Sequence, residues 1–459
     1  MQAATFISVV GSICLVEVVA NAAYGFMDNG YCHYKEYYQT SPAVTEANAR
    51  VRELAEEEGA GFYRSELMQY TVLDEASWHN MPSVSTFNST VLGSVVTTMG
   101  KLGFYTGANE FLYRGATPFT NALFDVRYLL ERPGDLNNFD YTYKETQNNV
   151  SIYENPYPTS LGFAVNSNTK DFVPSDYTAA NAQNILAYDM TGYGGFFSEK
   201  SPAISVSSDT ASVNYANGQV NFTPNASGAM YFMVSFTADR TGDYYVNCRG
   251  NYVTKLRFYK NGQEIAYDRY QLQLFHIGQL EAGDYISVEY EYNNINGSEV
   301  APFSVYTFHH QVFENVYNTV TRNLLTVDTW KDGYVKGTVT IPEGKTLFTS
   351  IPYDEGWTVK VDGEAVPYYK IVGAFIGVDM TPGEHTVEFT YMPKGLLSGM
   401  LISVICMIVL MAAMQVEKRL AERKCDDTEM IEAAVPEEEK KDEKLQEEVE
   451  RDIENLEDV

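Results

Sequence analysis

Residues 396–414 read LLSGMLISVICMIVLMAAM, an uncharged apolar run close to the roughly 20 residues a helix needs to cross a bilayer. Directly after it, EKRLAERK supplies Lys418, Arg419, Arg423 and Lys424. Basic residues clustered beside a span mark its cytoplasmic side. The reading is a membrane helix over 395–416 and an acidic cytoplasmic tail over 417–459. Leu445, Val449, Ile453 and Leu456 give that tail a thin apolar stripe, which suits a solvated helix better than a coiled coil.

A second apolar stretch opens the chain and predicts a membrane helix over 1–27. It is a poor signal peptide, because no Lys or Arg precedes it. It also carries Glu17 and Asn21 at i,i+4 spacing, on one helix face. Ionisable groups inside a bilayer are costly and face other helices or water-filled cavities. Glu17 therefore has either a mechanistic role or, the better reading, a packing partner on further membrane spans. Two crossings with the C-terminus inside leave residues 28–395 extracytoplasmic, in a chain bound to the lipid bilayer of a cell membrane.

Acidic residues outnumber basic ones 61 to 32, for a formal charge of −29, which repels a phosphate backbone and argues against nucleic acid as a partner. The 35 tyrosines fit sheets that are wet on one face, where a ring packs and a hydroxyl meets water. Of the five cysteines, Cys14 and Cys406 lie in the apolar runs and Cys425 in the tail. Cys32 and Cys248 fall in the extracytoplasmic region, where a disulfide and two free thiols are equally open.

Between the spans the hydrophobic period changes along the chain. Residues 28–172 read as a mixed α/β unit. Thr45 is the expected N-cap of an amphipathic helix running through Glu58. GFYRSELMQYTV alternates like a strand, 91–102 is helical, TPFTNALFDVRYLLER is a short helix into a strand, and VSIYENP is its partner strand. Residues 173–198 form a helical connector that ends at the glycines of 192–195. Short runs such as AMYFMVSFTA and DYISVEYEY make 199–311 a β-sandwich of jelly-roll kind, with a hairpin signal at Asn261-Gly262. Residues 312–394 form a second β unit, with a short helix near 314–324 and a hairpin at Asp362-Gly363. The fold class is thus an α+β multidomain ectodomain, a mixed α/β unit followed by two β-sandwiches, bracketed by two transmembrane helices.

Familiar catalytic patterns are missing. No GxSxG, P-loop, GxGxxG after a strand, or HExxH occurs. His309-His310, in a strand context, would point to opposite faces, so neither a metal site nor a cofactor is expected. Adjacent carboxylates such as Asp354-Glu355 are numerous in so acidic a chain, and sequence alone cannot place a pair across a sugar. The sequons at Asn88, Asn149, Asn221, Asn225 and Asn296 matter in a eukaryotic secretory route and carry little weight in a bacterium. More informative is WHNMPSVSTFNS, where Trp78, His79 and Asn80 precede Phe87 and Asn88. Stacking rings beside amides are what carbohydrate sites use, so these five are glycan-binding candidates, with Trp357 a second. Core packing is the competing reading for both tryptophans.

The order of blocks has a counterpart. Glu17 and Asn21 in a span, FYRSELM, WHNMPSVSTFNS, TPFTNALFDVRYLL, SIYENP, an AAN-Q-N helix and GWTVKVDGEAV…GAFIGVDMTPGEHTVEFTYMP before a last span together resemble the C-terminal half of the bacterial YfhO family of membrane proteins. The resemblance takes in nearly all the chain except the acidic tail. It implies a polytopic glycosyltransferase that takes sugar from a polyprenyl-phosphate carrier and decorates cell-envelope polymers. It carries no catalytic residue onto this chain, because the catalytic carboxylate of such enzymes sits among N-terminal spans. The chain by itself is then expected to lack transferase activity. Its expected partners are a lipid-linked sugar or envelope glycan and the missing transmembrane spans, on the same or another chain. The alternative is a standalone membrane-anchored surface protein with β-sandwich carbohydrate-binding modules.

Overall fold

The computed structural model describes residues 3–28, 41–133, 141–174, 177–225, 228–250, 253–268, 272–293 and 297–434. Cys32, Asn296 and the apolar stripe beyond residue 434 lie outside them.

An α-helix over Ala3–Asp28 carries the first apolar window, Ser8–Gly25. The helix Leu396–Ala434 carries the second, Leu396–Leu420. At about 1.5 Å per residue, the latter is roughly twice as long as a bilayer core of about 30 Å is thick. It therefore continues unbroken past the expected end of its span at residue 416. Residues 392–459 form a unit distinct from 1–391.

Within the larger unit, the helix Ser41–Glu57 lies on a four-stranded sheet ordered Arg64–Leu67, Val126–Glu131, Val150–Glu154 and Thr142–Gln147. The first two strands are parallel and the others antiparallel. The helix begins four residues before the expected Thr45 cap. Pro42 sits in its first turn, where a missing N–H leaves no helical bond unmade. Val44, Val51 and Leu54 pack with Leu67, Leu130 and Ile152 in one core. Each fully buried aliphatic side chain there contributes roughly 1.5–3 kcal/mol.

Next comes the β-sandwich. One sheet is ordered Ser205–Ser207, Met230–Thr237, Tyr285–Tyr292, Val253–Lys260 and Gln263–Asp268. A second sheet has Phe275–Leu280, Gly242–Asn247, Ser304–Phe308 and Phe197–Lys200. Val234, Phe258 and Val288 of the first share a core with Val246, Ile277 and Val305 of the second. Cys248 is buried in that core. Tyr244, Tyr245, Tyr290, Tyr292 and Tyr306 are fully buried, so the expectation of half-wet tyrosines fails here. Sheets stacked face to face take up rings on both inner surfaces, as the Phe236–Tyr244 pair, 6.4 Å apart across the two sheets, illustrates.

The last β unit pairs a five-stranded sheet with a four-stranded one. Two-residue turns close the hairpins at Lys260↔Gln263 and Val361↔Glu364. Both central residues of each have positive φ: Asn261 51° and Gly262 85°, Asp362 53° and Gly363 89°. The four-stranded sheet is completed by Gly162–Asn166, a strand from far upstream that pairs with Lys345–Pro352. In the helix Ala179–Thr191, Leu186, Ala187 and Met190 are fully buried, in a core that also holds Phe119, Phe308 and Phe375. Thr178 caps its start, and Gly192 at φ 83° ends it.

Candidate functional site

The site grows out of the strand Arg64–Leu67. Helix and loops cover both faces of this strand, so Ser65, Glu66 and Leu67 are all buried. Glu66 is 0% exposed, and a carboxyl cannot be left there without partners. Its Oε1 accepts the backbone N–H of Val84 and that of Ser85, the latter at 2.9 Å. Its Oε2 accepts the hydroxyls of Ser85, at 3.0 Å, and Tyr70. Ser85 Oγ in turn accepts the Tyr113 N–H at 2.7 Å. Burial pushes the Glu66 carboxyl above the ordinary range, against the pull of the Tyr70, Ser85 and Val84 donors. This knot fixes the segment that follows.

A one-turn helix, Glu75–Trp78, is bounded by two residues in the left-handed region, Asp74 at φ 60° and Asn80 at φ 52°. Asx residues tolerate that conformation. The turn sends neighbouring side chains in opposite directions. His79 is 4% exposed, with Nδ1 2.9 Å from Thr45 Oγ1, and does not reach the surface. Trp78 is 58% exposed and donates Nε1–H to Ser41 Oγ at 3.0 Å. Glu75 accepts the Thr71 N–H at 2.7 Å and pairs with Arg132. Burial raises its carboxyl, but His79, the Thr71 amide and Arg132 together hold it below the usual range.

Phe87 is 38% exposed, and its N–H is held by Asp74 Oδ1 at 2.7 Å. Asn88 Oδ1 accepts both the N–H and the hydroxyl of Thr90 at 2.9 Å, an Asx turn that uses its oxygen locally. Asn80 is exposed, and its carbonyl accepts from Arg52 at 2.7 Å.

Between these residues lies a cleft of about 490 Å³, inside the usual range of about 300–1,000 Å³ for ligand pockets. Ser77, Ser83, Ser85, Thr86 and Thr90 bring hydroxyls to it, while Met81, Val91, Leu92, Val95 and Phe111 give an apolar floor. Trp78 and Phe87 do not line it, though each is next in sequence to a residue that does, Ser77 and Thr86. Trp78 itself lines a smaller hollow of about 10 Å³ with Ser41, Thr71, Glu75 and His79.

Trp357 is placed elsewhere. Half-buried against the core of the last β unit, it packs on Tyr391 at 5.0 Å. Glu17 and Asn21 are exposed on the N-terminal helix.

Sequence reasoning missed Glu66, which an alternating strand assigns to solvent, and the cluster around Asp243. Asp243 is buried and bridges His276 Nε2 at 2.6 Å and His310 Nε2 at 3.0 Å. Burial raises its carboxyl, yet the two imidazoles hold it below the usual range. His310 opens the helix His310–Val320, while His309 turns to Ser198 Oγ at 3.0 Å. No group of three or more His, Cys, Asp or Glu able to hold a metal ion is found among the described residues.

Among solved structures, a family 35 carbohydrate-binding module from Clostridium thermocellum is 14% identical and aligns with 24% of this chain and 100% of its own, at a TM-score of 0.17. A GH2 beta-galacturonidase from Eisenbergiella tayi is 12% identical over 42% of this chain and 38% of its own, at a TM-score of 0.15. The chain thus spans well under half of the galacturonidase. A Paenibacillus cycloisomaltooligosaccharide glucanotransferase is 9% identical over 46% of this chain and 49% of its own, again at 0.15. Scores this low add nothing to the reading of the cleft. A comparison with curated proteins finds no match. The family described as bacterial membrane protein YfhO matches residues 1–403, from the first apolar helix into the last. With most of its length inside that match, the chain belongs to the YfhO family of bacterial membrane proteins.

Proposed function

We propose that this protein binds a saccharide outside the membrane, an envelope glycan or the sugar of a polyprenyl-phosphate carrier, in the cleft walled by residues 77–95. It holds that sugar for transfer by membrane-embedded spans. The observation that carries the reading is the cleft itself, hydroxyls over an apolar floor, with the exposed Trp78 and Phe87 each one residue from its lining. Sugars present the same two surfaces, polar edges and C–H faces that stack on rings. Membership of a membrane family and the two apolar helices support a bilayer setting. Lys418 and Arg419 beside the last span support a topology with the tail in the cytoplasm and residues 28–395 outside. The exposed Glu17 and Asn21 give the N-terminal helix a polar face, and such faces pair with other membrane helices. Transfer chemistry is assigned to those helices.

The test is titration of the full chain in nanodiscs with envelope-derived oligosaccharides. Saturable binding that Trp78→Ala and Thr90→Trp both weaken, with unchanged melting, supports the reading. Binding indifferent to both substitutions overturns it.

A further inference from the structure

We infer that the cleft is built for an uncharged saccharide and discriminates against phosphorylated and acidic ones. This rests on the cleft being the saccharide site and adds the chemical class of its ligand, favouring a neutral envelope glycan over a sugar whose carrier phosphate enters the cleft.

An anion inside a protein needs donors, either backbone N–H groups converging on it or the side chains of Arg and Lys. None of the described residues lining the cleft has an ionisable side chain. Five amides of the loop that walls it are also taken up. Val84 and Ser85 donate to Glu66, Phe87 donates to Asp74, Thr90 donates to Asn88 Oδ1, and Asn88 donates to the Asn109 carbonyl at 2.9 Å. Where a phosphate-binding loop turns its N–H groups toward the ligand, this one turns three of these onto carboxylates and two onto amide and carbonyl oxygens of the protein.

Three of the five lining hydroxyls repeat the pattern. Ser85 donates to Glu66, Ser83 donates to the Ser85 carbonyl at 3.1 Å, and Thr90 donates to Asn88. What these three have left to offer is lone pairs. A neutral sugar brings O–H donors that match them, whereas a phosphate or carboxylate brings only acceptors and meets unpaired oxygen. Acidic residues also outnumber basic ones within residues 28–395, which adds repulsion of the same sign.

The experiment uses the full chain in nanodiscs of phosphatidylcholine, with maltose, cellobiose and gentiobiose and the 6-phosphate and uronic acid counterpart of each, followed by saturation-transfer NMR and calorimetry. The expected result is that a neutral disaccharide binds, that Thr90→Trp weakens it, and that both charged counterparts bind at least about tenfold more weakly. Thr86→Lys, at a half-buried lining position, is expected to narrow that gap by supplying the missing donor. A charged counterpart that binds as tightly as the neutral sugar, and is still displaced by Thr90→Trp, overturns the inference while leaving the cleft as the saccharide site. Binding that ignores Thr90→Trp, or no binding of any probe, overturns the assignment of the cleft and the inference with it.

Discussion

Replacing Glu66 with leucine removes a carboxyl that accepts four hydrogen bonds, from the amides of Val84 and Ser85 and the hydroxyls of Ser85 and Tyr70. Leucine is close in size, so the effect is loss of partners rather than a cavity. A buried donor left unsatisfied costs about 1–3 kcal/mol. The two hydroxyls can turn toward other acceptors, but the two amides cannot. The expected loss is therefore about 2–6 kcal/mol, concentrated in the 77–95 segment. Glu66→Gln keeps one oxygen for the amides and should lose only about 1–2 kcal/mol. Hydrogen exchange read by mass spectrometry follows the Val84 and Ser85 amides directly. At about tenfold per 1.4 kcal/mol, leucine should speed their exchange by about 30-fold or more, and glutamine by about 5- to 30-fold. If both amides keep wild-type protection in the leucine variant, Glu66 does not fix the cleft wall and the reasoning fails.

Acid titration should separate two buried aspartates. Burial pushes Asp125 up from 3.8 to about 6, against the Thr159 amide and Arg64. A raised folded value means its favourable contribution is full below about 4 and lost as pH rises through about 6. Asp125→Asn should therefore flatten the melting temperature between those values, where about 2–3 kcal/mol is at stake. Asp243 runs the other way. Held low by His276 and His310, it stabilises above the ordinary carboxylate range and loses that as pH falls through its folded value. Asp243→Asn should blunt the acid end of the same curve. Gly192→Ala forces a Cβ into φ 83° at a helix end and should cost about 1–2 kcal/mol in thermal unfolding, with saccharide binding unchanged.

Much of the architecture is local and could be read. The two apolar helices announce themselves by length and lack of charge, and Asn261-Gly262 and Asp362-Gly363 close the hairpins their chemistry requires. Gly192 ends its helix for the same reason. What escaped depends on distant partners. The strand Gly162–Asn166 joins a sheet made nearly two hundred residues later, and no local pattern signals such a pairing. Glu66 looks like an outward residue until the segment that covers it is known. Trp78 and His79 are neighbours, and only the two left-handed residues around them decide which faces water. That helix Ser41–Glu57 starts before Thr45 follows from Pro42, a signal present in the sequence and passed over.

The central claim is that the segment 77–95 holds a saccharide. Hydrogen exchange of the full chain in nanodiscs, with and without a binding oligosaccharide, tests it most directly. The account predicts slowed exchange confined to peptides within residues 77–95 and the facing strand Glu110–Leu112. Slowed exchange in the 199–308 sandwich alone, with 77–95 untouched, would contradict it.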